Sequence, residues 1–302
     1  MKLRTPAIAL LALAAAGPAA AKGGAPACDR ACLDGFADEV LDAMAARAPE
    51  RLPWARIVRY SENSVSMAIG DGAWATITAH GSAALRAADP AAGQVVWMGE
   101  IAEHGQPGFM ALRLRIEDGR IAEAEAVVRR KGGPPQYGDP EGYRPDPAFA
   151  AASARRQAPK AMVAAVDSWF DAAQGKRGVA KIAAGCERQD NGVASSSGAT
   201  ADGGVQGCAA QISAGVFKPI EKVRGRRYIV DAARGVVVAA GFYDLPSAAP
   251  KPAPGKAFRW AEDFPYSLGF ISAFKLKDGA VWRVDTISNA QPYLMPSPWP
   301  PK

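Results

Sequence analysis

Two short segments of the chain combine an acidic side chain with an amide or a guanidinium group. Glu62 precedes Asn63 in the first, and Arg188 and Asp190 lie beside Glu187 in the second. A carboxylate near an amide can hold a substrate hydroxyl group, and it can act as a general base once burial raises its pKa. Side chains two positions apart on an extended segment share one face, so Arg188 could bind a substrate oxygen while Asp190 accepts a proton. We therefore predict Glu62, Arg188 and Asp190 as catalytic residues. Asn63 and Glu187 are predicted ligand contacts.

Each segment also has a structural interpretation. Glu62 and Asn63 could form an Asx-type turn or a helix cap that ties the chain down. Arg188 and Asp190 could be an internal ion pair that orients a loop. The same groups serve in either role, so the sequence leaves both interpretations open.

Arginine and tryptophan side chains supply further candidate ligand contacts. Arg226 and Arg227 precede an apolar strand, along which alternation sends one side chain inward and the other outward. The inward arginine could pair with Asp190 or Asp231 or bind an anionic ligand, and Arg59 could play a similar part in the first half of the chain. Trp74 and Trp260 are the aromatic residues expected to be exposed, where they could contact a sugar ring or an aromatic substrate.

The sequence indicates neither a metal site nor a cofactor site. Its two histidines, His80 and His104, lack ligand spacing to the cysteines, and we expect both at the surface. The serines at 195–197 lack the G-x-S-x-G elbow of a nucleophile. No glycine-rich loop has the residues that a phosphate-binding loop requires. The expected chemistry is therefore independent of cofactors.

Composition favours a globular protein with real cores. The hydrophobic share is 49% and the formal net charge is +6. The basic residues are spread along the chain and form no block interleaved with aromatic residues, so we expect no nucleic-acid partner.

Residues 1–21 are typical of a secretory signal peptide. Lys2 and Arg4 precede a short apolar run, and small residues follow at 19–21 as a cleavage pattern. The run is shorter than the roughly 20 residues that cross a bilayer. An uncleaved N-terminal anchor is the alternative. We predict a secreted or periplasmic protein with no membrane contact after cleavage.

Four cysteines in an exported chain indicate two disulfides. Three pairings are possible, and the short spacings favour Cys28 with Cys32 and Cys186 with Cys208. The second bridge would close and restrain a loop rich in glycine, serine and alanine.

The two halves of the chain resemble each other. The element around Asn63 has a counterpart around Asn191, residues 93–96 have one at 235–238, and residues 114–121 have one at 274–281. The spacing between counterparts grows along the chain, which indicates insertions in the second half. Each half places Asp-Gly, a strong hairpin signal, between its last two strand-like segments. We therefore predict a tandem repeat.

The periodicity predicts a helix followed by strands in each half, an α+β pattern. The first domain is predicted over 28–131, a Gly/Pro-rich linker over 132–157 and the second domain over 158–302, with insertions and a proline-rich C-terminal tail. Expected helices cover 29–47 and 158–174, and expected strands cover 57–60, 73–79, 95–102, 109–117, 120–129, 209–212, 226–230, 236–243, 268–277 and 281–287.

This order of elements resembles the cone-shaped, nuclear-transport-factor-2-like fold. In that fold a curved antiparallel sheet wraps around helices and leaves a pocket at its wide mouth, and polyketide-cyclase-like and ketosteroid-isomerase-like enzymes use it. The resemblance implies two cone-shaped α+β barrel domains. Two copies in one chain are similar to the dimer of single-copy relatives, so we expect a monomer with an internal pseudo-dimer.

A second resemblance covers nearly the whole mature chain, although its motifs are short, and it includes Tyr60-Ser61-Glu62-Asn63, which resembles the first-copy element of the same family. Cys186-Glu187-Arg188, the later Cys208, and the segment from Arg226 to Gly235 resemble a secreted family known only as domain of unknown function 8021. This family implies secretion and a fold but no activity. The chain departs from the family at Asn191, where a glycine is usual, and this argues against a ligand role for Asn191.

These observations lead to two hypotheses about function. The first is an exported small-molecule-binding protein that acts as a cofactor-independent acid/base enzyme, an isomerase, lyase or hydrolase, on a small cyclic substrate. The second is a non-catalytic ligand-binding or interaction module. A perturbed carboxylate in a closed apolar pocket would favour the enzyme, and a shallow groove with fully paired acids would favour the module.

Overall fold

The structure, a computed structural model, describes residues 28–133, 135–176, 180–194, 207–246 and 264–299. The predicted signal peptide, the serines at 195–197, Trp260 and the last three residues of the tail lie outside these ranges.

The first domain contains two α-helices, a short 3-10 helix (Pro49–Arg51) and a six-stranded sheet in the order β2-β1-β6-β5-β4-β3. Strands β1 and β6 pair in parallel, and all other neighbours are antiparallel. The elements are α1 (Arg30–Ala46), β1 (Trp54–Glu62), β2 (Val65–Met67), α2 (Ala73–Thr76), β3 (Ile77–Asp89), β4 (Gln94–Glu103), β5 (Gln106–Glu117) and β6 (Arg120–Arg129).

The second domain repeats this topology, with the sheet order β8-β7-β12-β11-β10-β9 and a parallel β7–β12 pair. Its elements are α3 (Pro159–Ala173), β7 (Ile182–Asp190), β8 (Val193–Ala194), α4 (Cys208–Ala214), β9 (Lys222–Asp231), β10 (Val236–Leu245), β11 (Tyr266–Lys277) and β12 (Ala280–Pro292). The predicted α+β fold with two similar domains is thereby confirmed, although each sheet is mixed and not purely antiparallel.

The two Asp-Gly turns occupy equivalent places in the two domains, between β5 and β6 and between β11 and β12. Asp118 and Gly119 have φ values of 49° and 70°, and Asp278 and Gly279 have 52° and 80°. Positive φ at both central residues is the requirement of a type I′ hairpin turn, which Asp-Gly meets at low cost.

Each sheet packs one face against its own long helix. Asp29 caps α1 by accepting a hydrogen bond from the Cys32 N–H at 3.0 Å. The apolar face of α1 then meets alternate residues of β4 such as Val95 and Trp97. In the second domain, α3 packs in the same way against its sheet.

The opposite faces of the two sheets form a third core between the domains. Val96 and Met98 of β4 belong to it together with Val236 and Val238 of β10. Segment 95–102 is therefore apolar on both faces because one face meets α1 and the other meets the second domain.

Two expected strands are helical. Residues 73–76 form α2, and β3 starts only at Ile77; residues 209–212 lie inside α4. Tertiary contacts act at both helix starts, because the Glu62 carboxylate accepts the Ala73 N–H at 2.6 Å and a disulfide holds Cys208. Strands β2, β7 and β8 carry too little alternation to be predicted from the sequence.

Both expected disulfides, Cys28–Cys32 and Cys186–Cys208, are present, with Cα atoms 5.3 and 5.4 Å apart. Within the described part of the chain, no helix is both long enough and apolar enough to cross a membrane.

Candidate functional site

Asn63 and Asn191 occupy equivalent positions directly after the first strand of each domain. Both have positive φ, 47° and 46°. The Asn63 side chain accepts from the Val128 N–H at 2.9 Å and donates to the Val128 carbonyl at 3.1 Å. Asn191 accepts from the Ser288 N–H at 2.9 Å and donates to the Gln136 carbonyl at 3.1 Å. Both amides thus bind backbone groups that are distant in sequence, so Asn63 ties the chain down through contacts with β6 and not through an Asx-type turn.

Glu62, the acid beside Asn63, is buried and engaged at both oxygens. Oε2 accepts from the Ala73 N–H at 2.6 Å and from the Tyr60 hydroxyl at 3.4 Å, and Oε1 lies 2.9 Å from Arg130 Nη1. Burial and the charge of Glu62 raise the pKa of the Tyr60 hydroxyl, which stays protonated as a donor. This geometry is that of a helix cap, and it does not leave Glu62 positioned as a general base.

Trp74 lies in the core of the first domain and not at an exposed site. It is 1% exposed and makes edge contacts with Trp54 and Tyr60, with ring centroids 5.9 and 6.4 Å apart. Its expected exposure is wrong because α2 turns the indole inward. Arg59 is exposed on β1, a strand that only the short β2 separates from the sheet edge.

Asp190, the counterpart of Glu62, lies in a cleft of the second domain. Its Oδ2 is 3.2 Å from Arg188 Nε, and the two side chains are 17% and 12% exposed. The Arg188 guanidinium also lies over the Phe217 ring, 4.8 Å from its centroid. Burial and the nearby charge of Asp190 raise the pKa of Tyr243, so this hydroxyl also stays protonated.

The cleft has a volume of about 200 Å³ and is lined by Arg188, Asp190 and Tyr243 together with Thr286 and Ser288. The remaining wall is largely apolar and includes Val216, Phe217, Ile220, Leu245 and Leu268. A polar pair within an apolar wall is the usual composition of a small-molecule site.

Helix α4 and its disulfide position one wall of this cleft. Cys186 lies two residues before Arg188 on β7, and Cys208 is the first residue of α4. The chain that follows α4 places Phe217 against Trp169, with ring centroids 5.7 Å apart. In the first domain, α2 occupies the same place in the chain order but brings Trp74 into the core, so the equivalent space is filled.

We expect loss of the Cys186–Cys208 bridge to lower the free energy of unfolding and also to weaken ligand binding in the cleft. In the chain-entropy model a bridge across a loop of this size contributes about 3 kcal/mol. A Cys186→Ser/Cys208→Ser variant should therefore unfold at lower urea concentration and lose affinity for cleft ligands. Cys28→Ser/Cys32→Ser, which opens a short loop outside the cleft, is the matched control for affinity. Equal affinity in both double variants would contradict the proposed wall.

The two arginines of β9 have partners other than Asp190. Arg226 lies 2.7 Å from Asp167 of α3, and Arg227 lies 2.6 Å from Glu125 of the first domain. Alternation correctly predicted one arginine on each face. The expected reach to Asp190 is wrong because β9 and β7 lie on opposite sides of the sheet order. Glu187 is exposed, and its Oε2 lies 3.7 Å from Arg283 Nε.

A larger cavity of about 710 Å³ lies between the rim of the first domain and the linker. Two acids, Glu103 and Asp139, line it, and Glu103 accepts from Thr76 at 2.5 Å and pairs with Arg130 at 2.6 Å. Burial alone would raise the pKa of Glu103, but these hydrogen bonds hold it below its usual range. The smaller cleft, with its apolar walls and the Arg188–Asp190 pair, is the better candidate site.

Phe217 and Tyr243 were not among the predicted site residues. Tyr243 was detectable, because Val237 and Ala239 face the core of the second domain and alternation along β10 places Tyr243 on that side. Phe217 was not detectable, because residues 209–212, which lie in α4, were expected to form a strand.

Among the described residues, no group of three or more His, Cys, Asp or Glu side chains is arranged to hold a metal ion.

Residues 155–288 match the sequence profile of a family described as "Domain of unknown function (DUF8021)". The predicted resemblance is thereby confirmed for this part of the chain. No curated protein matches the sequence.

Several solved structures are similar to one half of the chain. A designed protein with a curved β-sheet is 10% identical, with 44% of this chain and 88% of that chain covered and a TM-score of 0.29. A "Putative SnoaL-like polyketide cyclase" from Jannaschia sp. CCS1 is 16% identical, with 45% and 91% covered and a TM-score of 0.29. A "Putative Isomerase" from Bacillus subtilis is 13% identical, with 43% and 87% covered and a TM-score of 0.30. None of these likenesses indicates an activity for this chain.

Proposed function

We propose that the chain binds a small cyclic organic molecule in the cleft of the second domain. The observation that carries this proposal is the Arg188–Asp190 pair, 3.2 Å apart, within a largely apolar wall. The apolar side chains would enclose a ring, and Arg188 would bind a carboxylate or carbonyl oxygen on it. A cleft of about 200 Å³ favours a molecule with a single ring.

Binding is better supported than acid/base catalysis. A catalytic base needs a carboxylate that is ready to accept a proton, whereas Asp190 lies against a guanidinium that compensates its charge. Glu62 is held by three donors in the first domain. Acidic side chains that are paired with cations or other donors were expected for a non-catalytic ligand-binding module.

One observation keeps acid/base catalysis as the second candidate. Tyr243, whose pKa is raised by burial and by Asp190, lines the same cleft as a protonated donor. It would donate to a substrate carbonyl while Asp190, released from Arg188 by the ligand, accepts a proton from a neighbouring carbon.

We also propose that the protein works outside the cytoplasm. Two disulfides are consistent with an extracellular or periplasmic location, since such bonds persist in oxidising compartments. The signal-like segment at 1–21 supports the same location.

Binding of benzoate, phenol and cyclohexanone, measured by calorimetry, tests the proposed site. We expect the anionic benzoate to bind best, and Arg188→Gln to weaken its binding roughly tenfold or more. Arg226→Gln is the matched control, because Arg226 pairs with Asp167 away from the cleft lining. If none of the three probes binds, or if both variants bind benzoate equally, the proposal is wrong.

Asp190→Asn separates the two candidate functions, because it nearly preserves shape and removes the charge. A catalytic role predicts that proton exchange at the carbon next to a bound ketone, followed by NMR in deuterated water, is lost in this variant. A binding role predicts no such exchange in the wild-type protein either, together with changed ligand affinity.

A further inference from the structure

The linker between the two domains supplies part of the wall of the cleft in the second domain. Pro135 and Gln136 line this cleft, although both follow the last strand of the first domain and precede α3. The cleft is therefore completed by a segment that lies outside the two sheets. A contact that fixes this segment also determines the position of that wall.

Arg129, the last residue of β6, fixes the linker from the side of the first domain. The residue is 2% exposed. Its guanidinium donates to the backbone carbonyl oxygens of Arg130 at 2.5 Å, Gly132 at 2.7 Å and Gly133 at 2.9 Å, and also to that of Pro135. A guanidinium carries five N–H donors in a planar fork, so it can hold several carbonyl groups at once. Arg129 thus binds the backbone of a wall residue, Pro135, while it lies outside the lining of the cleft itself.

Tyr137, the next residue after the wall, packs against the first domain. The guanidinium carbon of Arg129 lies 5.3 Å from the centroid of the Tyr137 ring, and the ring of Phe109 makes an edge contact with it at 5.5 Å. The Tyr137 hydroxyl donates to the Pro107 carbonyl. Cation–π and edge contacts add to the hydrogen bonds, so Arg129 holds the linker through both its backbone and its side chains.

The second domain holds the same segment from the other side, through its turn at Asn191 and Gly192. Asn191 Nδ2 donates to the Gln136 carbonyl at 3.1 Å, and the Gly138 N–H donates to the Asn191 carbonyl at 2.9 Å. A Cβ atom on Gly138 would lie 2.7 Å from the carbonyl carbon of Gly192. The linker backbone therefore lies directly against this turn and leaves no room for a side chain at position 138.

We propose that Arg129 is a positioning residue for the cleft: it holds Pro135 and Gln136 in place, so that ligand binding in the second domain depends on a side chain of the first. The inference rests on the proposed function, because it concerns the same cleft. A wall that is already in place binds a ligand without the ordering cost that a loose wall would add. Arg129 acts on the ligand only through the linker.

Benzoate affinity, measured by calorimetry on the full-length protein, tests the inference in two variants. Arg129→Lys keeps a cation but replaces the fork by a single nitrogen, which cannot span the carbonyl groups. Gly138→Ala places a Cβ against the turn at 191–192 and displaces the linker from the other side. We expect each variant to weaken binding roughly three- to thirtyfold, the range for residues that act on a site without touching its ligand.

Two controls separate positioning from a general loss of stability. Gly35→Ala adds a Cβ in α1 where it meets nothing within 4 Å, and Val40→Ala removes volume from the core of the first domain. Both should bind benzoate as the wild type does, although Val40→Ala should melt at a lower temperature.

Hydrogen exchange adds a readout that follows the linker itself. The Gly138 N–H, which is bonded to the Asn191 carbonyl, should exchange faster in Arg129→Lys than in Val40→Ala. Benzoate should slow this exchange again, because a ligand that needs the ordered wall favours it in return.

The outcomes distinguish this inference from the proposed function. A wild-type protein that binds no probe refutes the proposed function and this inference with it. Wild-type binding together with unchanged affinity in both linker variants refutes this inference alone. A loss in Val40→Ala as large as that in Arg129→Lys also refutes it, since affinity would then follow the stability of the first domain. If Arg129→Lys does not fold, Gly138→Ala against Gly35→Ala decides the question.

Discussion

Glu125→Ala is expected to lower the free energy of unfolding by about 3 to 5 kcal/mol, the range found when one partner of a buried ion pair is removed. Glu125 is 8% exposed. It accepts from Arg113 Nε at 2.8 Å and from both terminal nitrogens of Arg227, at 3.0 and 2.6 Å. Arg113 belongs to the first domain and Arg227 to the second, so the loss weakens the joint between them.

The electrostatics of the site support a large effect. Burial alone would raise the pKa of Glu125, but Arg113 and Arg227 outweigh it and hold this pKa below its usual range. The carboxylate is therefore ionised in the folded protein, and its removal leaves the buried Arg113 and the partly buried Arg227 without their main counter-charge.

Urea denaturation of three variants measures this prediction. Glu125→Gln keeps an acceptor oxygen and loses the charge, so its loss should be intermediate. Glu187→Ala removes an exposed carboxylate and should change stability by no more than about 0.5 kcal/mol. A loss below about 1 kcal/mol for Glu125→Ala would show that the two arginines find other partners.

Asp285→Asn is expected to stabilise the protein above neutral pH and to flatten its pH dependence. Asp285 is 2% exposed and accepts from the Tyr143 hydroxyl at 2.9 Å and from Gln189 Nε2 at 3.3 Å. Burial raises the pKa of Asp285 to about 7, and the charges of Asp190 and Asp146 act in the same direction against these two hydrogen bonds.

The raised pKa determines the sign of the effect. In the unfolded chain the carboxyl has its ordinary pKa of 3.8. Between that pH and about 7 the folded protein holds a proton that the unfolded chain has released, so stability falls as the pH rises through this window. The integrated loss is on the order of 4 kcal/mol. Asparagine carries no such proton and keeps an acceptor for Tyr143.

Unfolding free energies of the wild type and Asp285→Asn, measured from acid to mildly alkaline pH, test this expectation. The two proteins should be similar at the acid end, and the variant should be the more stable one above neutrality. Asp171→Asn is the control, because Asp171 pairs with Lys176 at the surface, 3.0 Å away. Parallel pH curves for wild type and Asp285→Asn would exclude Asp285 as the titrating group.

Short-range signals in the chain were sufficient for much of the architecture. The Asp-Gly turns at 118–119 and 278–279 need positive φ, and few dipeptides other than Asp-Gly and Asn-Gly adopt it easily. The long helices follow from apolar residues that recur every three or four positions. The growing spacing between matching segments of the two halves follows from insertions in the second half. Both disulfides lie between cysteines that are close in sequence.

The candidate site depends on contacts between residues that are far apart in the sequence, and such contacts could not be predicted. Glu62 and Asp190 are the last residues of equivalent strands, yet the first caps α2 and the second lies in a cleft with Arg188. That difference arises because α2 turns Trp74 into one core, whereas α4 is held aside by the Cys186–Cys208 bridge.

The residue types and their order therefore determined the repeat, the hairpins, the disulfides and the acidic positions, since each depends on local backbone preference or apolar period. Which repeat keeps an open cleft, and which acid faces which arginine, was decided only when strands far apart in the chain came together. Arg227 and Glu125 are separated by 102 positions. Local preference carries no information about such a pair, because its energy comes from burial and geometry that only the packed sheets create.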